Sequence, residues 1–321
     1  MDMATEIGSS IRPMKAKRMT ENDLKDIMEK LKDNKAPGPD GMRGEYFKEL
    51  FKDQECKKFM IDCFNSVLEE KEIPDSWSVS RTKMIEKTKK PTVKDFRPVA
   101  ITNVSYKAYM AFRRRDISEH LIMNNLVLEN QIGFTEGGRI EYNHFILQYI
   151  VERSMKNNEE KKWEMPSFYM PIREGDNQSL NVGRPKRIKE ETKKDGLIVM
   201  ALDFKKAYDS VNRKSLIETL IAYKIDPEVI DLIAKVYLKD KTSIEMMGEK
   251  KEIEITSGIR QGCTVSTELF KLVTYVIIKK LEEEGETFEL EEMNLSSLWF
   301  ADDSLSISKS MEAAKKNLET R

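Results

Sequence analysis

Two histidines and three cysteines among 321 residues leave little from which to build a zinc module. Cys56 and Cys63 lie about 10.5 Å apart along a helix axis at 1.5 Å per residue, too far for a disulfide within one helix. Cys263 stands alone. All three read as reduced packing or surface thiols, as a reducing compartment would leave them. No apolar run approaches the roughly 18 residues that span a bilayer. The opening "MDMATEIGSSIRPMKAKRM" has no apolar core of a signal peptide. The expectation is a soluble protein inside the cell, nuclear or cytoplasmic, with no membrane partner. Net charge is also lacking, at -1, so any polyanion has to be held by local patches rather than by a basic chain as a whole.

Such patches exist. "RTKMIEKTKKPTVK", Arg81 to Lys94, is strongly basic, whereas "EEEGETFELEE", Glu282 to Glu292, holds acids and no base. With 39% hydrophobic and 35% charged residues the chain is globular and densely charged on its surface, and long enough for two cores or one large core with lobes.

Periodicity then outlines the elements. "TENDLKDIMEKLKD" predicts a helix: Thr20 and Asp23 form an approximate capping box, and Leu24, Ile27, Met28 and Leu31 share one face. It ends in "NKAPGPDG", which cannot continue a helix. Residues 44 to 71 are helical in pattern, as are 104 to 123 and 143 to 157. The basic stretch between them suggests a β-ribbon with Pro91 and Pro98 at breaks. Arg113, Arg114 and Arg115 read as a solvated helix face. Between 157 and 196 periodicity fails, which predicts an exposed insertion; its "RPKRIKEETKK" is read as a solvated charge run. "GLIVMALDF" reads as a buried strand ending at Asp203 and Phe204. Two helices, a hairpin in "SIEMMGEKKEIEIT", the loop "SGIRQGCTVS", an apolar helix and a final hairpin in "SLWFADDSLSIS" follow. There is no internal repeat and no βαβ rhythm, so the class is α+β with an antiparallel sheet backed by helices.

The final hairpin puts Asp302 beside Asp303 at its tip. Adjacent acids alone prove little, since about ten such pairs arise by chance at this composition and Asp favours turns. The pair gains meaning from Asp203, which ends a separate strand. Two carboxylates about 4 Å apart repel by about 1 kcal/mol in water and about 4 at an effective dielectric of 20. A divalent cation reverses that sign. Mg²⁺ takes oxygen ligands, one or two carboxylates plus substrate phosphates, so the chemistry indicated is two-metal phosphoryl or nucleotidyl transfer.

"LDFKKAYDSV", "GIRQGCTVSTELF" and "FADD", in that order, resemble the central palm motifs of reverse transcriptases. Upstream, "NKAPGPDGMRGEYFKEL", "MIEKTKKPTVKDFRPVAITNVSYKAYM" and "ENQIGFTEGGR" resemble the finger blocks of the non-LTR, LINE-type retrotransposon group. The resemblance covers about residues 19 to 309 outside the insertion. It implies a right-hand polymerase with fingers and a partial palm: an N-terminal tail to residue 19, fingers at 20 to 135, palm at 136 to 211 interrupted by the insertion, further fingers at 212 to 258, and palm again at 259 to 321.

The same resemblance implies roles. Asp203 and Asp302 would ligate two Mg²⁺ ions, with Mn²⁺ as an alternative, and Asp303 would support the site or touch one ion. Phe204 belongs with the substrate-binding residues. Tyr208 would be the steric gate beneath the incoming sugar, Gln261 and Gly262 would line the nucleotide pocket, and Lys87 and Arg97 would hold the triphosphate. The implied partners are an RNA template, a DNA primer and deoxynucleoside triphosphates; no protein partner is evident. Thr264 and Thr267 stand where the family usually has proline, which predicts a looser loop around Gln261. Arg321 comes 18 residues after Asp303, where the resemblance implies further palm strands and a thumb, and nothing resembling an endonuclease stands before Thr20. The expectation is a fragment with reduced or no synthesis alone. The competing expectation is a non-catalytic nucleic-acid-binding or scaffold relic of the same fold.

Overall fold

The computed structural model describes residues 11–89, 92, 95–126, 130–135, 137–155, 197–246, 249–285, 288–290 and 293–319. The insertion expected at 157–196 and the break expected at Pro91 lie outside them. In chain order the elements are α1 (Glu21–Lys30), α2 (Gly44–Lys52), α3 (Gln54–Glu69), a 3-10 turn (Asp75–Trp77), β1 (Val79–Glu86), β2 (Phe96–Ile101), α4 (Val104–Met123) and α5 (Ile140–Met155). Then come β3 (Ile198–Asp203), α6 (Ala207–Ser210), α7 (Arg213–Ala222), α8 (Pro227–Leu238), β4 (Lys241–Met246) and β5 (Glu249–Glu254). The last are α9 (Ser266–Glu284), β6 (Glu289–Leu290), β7 (Met293–Asn294), β8 (Ser297–Phe300), β9 (Asp303–Ser308) and α10 (Met311–Glu319). They group into two compact units: unit 1, Met1–Leu126 with Lys206–Val273, and unit 2, Val127–Lys205 with Thr274–Arg321.

In unit 1 the capping box of α1 is complete. The Asp23 N–H donates to the Thr20 hydroxyl while the Thr20 N–H donates to the Asp23 carboxylate at 2.9 Å. Leu24 and Met28 are buried and Ile27 and Leu31 half-buried, as the helical spacing requires. The helix expected over 44 to 71 is two helices, because Asp53 is extended and turns its carboxylate to the Cys56 N–H at 2.9 Å, capping α3. Helix α4 is wrapped in core: Tyr106, Tyr109, Phe112 and Ile117 are fully buried, and Trp77 packs its ring against Tyr106 and Tyr109.

Arg113 corrects the expectation of a solvated helix face. Only 1% exposed, it pairs with Asp116 at 2.6 Å, donates to the Lys17 carbonyl at 3.0 Å, and lies over the Phe112 ring. Arg114 and Arg115 are committed too, to Glu268 and Asp23.

The sheet of unit 1 runs β2-β1-β4-β5. It is mixed: the two hairpins are antiparallel, but β1 and β4, far apart in sequence, pair in parallel. Pro98 sits inside β2, opposite Met84, and not at a break. That is tolerated because β2 is an edge strand. The N–H of Ala100, two residues on and hence on the same side, donates outward to the Gln261 carbonyl at 2.8 Å, so the missing N–H of Pro98 also faces away from β1.

Unit 2 is built on a wholly antiparallel three-stranded sheet, β3-β9-β8. Ile150, Phe288, Leu295, Leu298 and Ile307 form one core cluster, and Ile278, Leu281 and Trp299 another. Strand β3 is not buried as its apolar run suggested. It is the sheet's edge, and Val199, Ala201 and Asp203 are exposed while Ile198, Met200 and Leu202 are half-buried. Among the described residues no helix is long and apolar enough to cross a membrane.

Candidate active site

The carboxylates come together within unit 2. The antiparallel register of β3 and β9 sets Asp203 directly opposite Asp303. Cross-strand partners project from the same face with Cβ atoms about 4.5–5.5 Å apart. Asp302 precedes Asp303 in the turn that joins β8 to β9. Asp203 and Asp303 are exposed and Asp302 half-buried. The Asp303 carboxyl is held above the usual carboxylate range, first by partial burial and then by the negative charges of Asp302 and Asp203. Asp303 thus senses the charges of both neighbouring acids. An all-oxygen, mutually repelling set fits a hard divalent cation. Among the described residues no group of three or more His, Cys, Asp or Glu is arranged to hold a metal ion by itself; a divalent cation held by these acids would need further oxygen ligands from water or substrate. Phe204, next to Asp203, stacks its half-buried ring on Trp299 at 5.8 Å between centroids.

Unit 1 holds the other candidates. Lys87 is exposed just beyond β1, its N–H donating to the Asp95 carbonyl at 2.8 Å, and Arg97 is exposed on β2 opposite Ile85. Tyr208 lies in α6 with its ring stacked parallel on Phe270 at 4.8 Å. Its carbonyl accepts from Ile259 at 2.9 Å. The Gln261 carboxamide reaches the Asp209 carboxylate at 3.5 Å. Two glycines permit this docking. Gly258 has φ +78, and a Cβ there would meet the Tyr208 carbonyl oxygen at 2.8 Å; Gly262 has φ +98, and a Cβ would meet the Ala100 carbonyl oxygen at 2.9 Å. The loop is thus sewn between the Tyr208 turn and edge strand β2, bringing Tyr208, Gln261 and Gly262 onto one platform.

Residues 85–320 match the family described as reverse transcriptase (RNA-dependent DNA polymerase). The chain belongs to the reverse transcriptase family. It is similar to the Retrovirus-related Pol polyprotein from type-1 retrotransposable element R2 of Nasonia vitripennis, 26% identical over 287 residues, covering 88% of this chain and 23% of that protein. The corresponding R2DM polyprotein of type-2 in Drosophila melanogaster is 24% identical over 270 residues, covering 83% of this chain and 21% of the relative. The chain therefore spans only about a fifth of the length of these curated relatives. Its non-LTR reverse transcriptase character, read from six motifs, stands. Among solved structures, the apo telomerase of Candida tropicalis, truncated from its C-terminal domain, aligns over 87% of this chain and 52% of that one at 13% identity and a TM-score of 0.46. That likeness is too slight to carry weight.

Reverse transcriptase motifs direct attention to Gln261, yet its neighbour Arg260 is what anchors the loop. Arg260 is 6% exposed; it donates to the Trp77 and Ser78 carbonyls, each at 2.8 Å, and to Asp240 at 2.9 Å. Asp240 also receives Arg213 at 2.7 Å, and Arg213 donates to the Gly258 and Ile255 carbonyls. The only sequence signal for this network was an arginine inside an otherwise small and polar loop. Where the family usually has prolines the loop is bonded locally: the Thr267 hydroxyl donates to the Thr264 carbonyl at 3.0 Å, and the Cys263 thiol, buried, donates to the Tyr106 hydroxyl at 3.3 Å.

Proposed function

We propose that the chain adds deoxynucleotides to a DNA primer by copying an RNA template. The observation that carries this reading is the β3–β9 register, which opposes Asp203 to Asp303 beside Asp302. Asp203 and Asp302 would hold two Mg²⁺ ions, with Asp303 supporting them. Bound there, the ions would sharpen the primer 3′-hydroxyl as a nucleophile and stabilise the departing pyrophosphate. Everything else falls to the side chains. Lys87 and Arg97, both exposed on the basic ribbon, neutralise the triphosphate. Tyr208, clamped against Phe270, presents a fixed wall to the sugar and excludes a 2′-hydroxyl by volume. Gln261 and Gly262 border the nucleotide, Phe204 stiffens the end of β3 through Trp299, and base choice is left to template pairing. On this reading unit 2 is palm and the β1–β2 ribbon belongs to the fingers, and the protein works in the nucleus or cytoplasm.

Primer extension on an RNA template tests it, with wild type and Asp302→Ala purified in parallel. Extension by wild type that falls to background in Asp302→Ala is expected. No extension by wild type, or equal extension by both, would overturn catalysis by this chain and favour a non-catalytic nucleic-acid-binding role.

A further inference from the structure

The turn that carries Asp302 and Asp303 is strained and clamped. Ala301, immediately before them, is buried with φ 60, a left-handed conformation that an L residue other than glycine adopts only against a cost. One side chain satisfies both of its backbone polar groups. Gln131, 5% exposed, accepts the Ala301 N–H on Oε1 at 3.0 Å and donates from Nε2 to the Ala301 carbonyl at 3.1 Å. The same Oε1 accepts the Gly133 N–H at 3.1 Å, which fixes the carboxamide's orientation: oxygen toward two N–H groups, nitrogen toward the carbonyl.

The surrounding backbone keeps Gln131 in place. Gln131 bridges to Trp299 in parallel fashion, the Trp299 N–H donates to the Asn130 carbonyl at 2.7 Å, and the Ile132 N–H donates to the Trp299 carbonyl at 3.1 Å. Asn143 donates to that same carbonyl at 3.0 Å. The approach is so close that a Cβ on Gly133 would sit 2.0 Å from the Ala301 nitrogen. All of these residues belong to unit 2.

We infer that Gln131 is a positioning residue for the acidic site, holding Ala301 left-handed so that Asp302 and Asp303 leave the turn in the direction a shared cation requires. Rotation about the Ala301 backbone swings Asp302 directly, and Gln131 is the side chain bonded to both ends of that residue. A hydrocarbon side chain of equal length would leave two N–H groups and one carbonyl without these partners; a carboxylate would face the Ala301 carbonyl with no proton to give. This inference rests on the reading of the acids as a cation site.

The test uses Mn²⁺ as the probe, with its free concentration read by electron paramagnetic resonance, alongside thermal melting. Four proteins are compared with wild type: Asp302→Asn, Gln131→Met, Gln131→Met with Asp302→Asn, and Gln131→Met with Ala301→Gly. Outer partners of metal ligands change affinity by about 10–100-fold, so Gln131→Met is expected to weaken Mn²⁺ at least about tenfold. In the Asp302→Asn background it should add a clearly smaller loss, since much of its effect passes through that residue. Ala301→Gly, which removes the cost of the left-handed conformation, should recover part of the affinity in the Gln131→Met protein. A merely structural role would give neither the non-additivity nor the rescue. A folded Gln131→Met protein with wild-type Mn²⁺ affinity, or a loss that persists undiminished in the Asp302→Asn background, would overturn the inference. Should Gln131→Met fail to fold, Gln131→Asn, which keeps an uncharged carboxamide but is one methylene too short to bond both ends of Ala301, carries the same comparison. Equal Mn²⁺ binding by wild type and Asp302→Asn would instead sink the cation-site reading itself, and the inference with it.

Discussion

Asp240→Asn is expected to loosen the loop that presents Gln261. Asp240 is 3% exposed and is the shared anion of two arginines: Oδ1 accepts from Arg260 at 2.9 Å and Oδ2 from Arg213 at 2.7 Å. Asparagine keeps the shape but removes the charge and turns one acceptor into a donor aimed at a guanidinium. Neither arginine can discharge itself by losing a proton. A charge pair about 4 Å apart is worth about 4 kcal/mol at an effective dielectric of 20, and removing one partner of a buried pair typically costs about 3–5 kcal/mol. Arg260 keeps the Trp77 and Ser78 carbonyls and Arg213 those of Ile255 and Gly258, which points to the lower end, about 3 kcal/mol. Hydrogen exchange read by mass spectrometry is the assay. A loss of that size speeds opening by about 10²-fold, concentrated in peptides covering β5 and the 255–263 loop. Exchange within about threefold of wild type, together with an unchanged urea midpoint, would refute the claim that Asp240 holds this loop.

Three further outcomes are expected. Asp303 is harder to ionise in the fold than in the unfolded chain, so its contribution to stability is full below the ordinary carboxylate pKa and is lost as pH rises through its raised folded value; Asp303→Asn should therefore raise the melting temperature near neutrality and give no gain in acid, and the opposite pH trend would show the like-charge picture to be mistaken. Gly262→Ala, which forces a side chain into φ +98 against the Ala100 carbonyl, should cost about 1–3 kcal/mol in urea unfolding, and a neutral result would mean the loop does not need that conformation. Arg113→Met should cost about 3–5 kcal/mol by stranding Asp116, with partial recovery on adding Asp116→Asn; additive losses would show that the pair is not coupled.

The α1 capping box, the β8–β9 hairpin and the termini of α4 were legible because their causes are local: a cap three residues from its partner, or an alternation broken by a turn. Asp203 could be placed at a strand end for the same reason, although its register against Asp303 is a fact of pairing between distant segments. What the sequence concealed was tertiary. Arg113 looks like one of three solvated arginines until Asp116 and the Lys17 carbonyl enclose it. The apolar run of β3 signals a strand but not its place, and an edge strand leaves alternate side chains exposed. Pro98 reads as a breaker, and only the knowledge that β2 is an edge reconciles it with pairing. Gln131 and Arg260 stood in motifs that resemble the family without showing these roles, since their work is to bind backbone groups far away in sequence.

The claim on which the functional reading turns is that the acids at the β3–β9 border form a divalent-cation site. Calorimetric titration of Mg²⁺ into wild type and Asp203→Asn tests it most directly. Because outer-shell changes alone shift metal affinity by about 10–100-fold, loss of a direct ligand should weaken Mg²⁺ by more than about tenfold. Equal affinities in the two proteins, both folded, would contradict it.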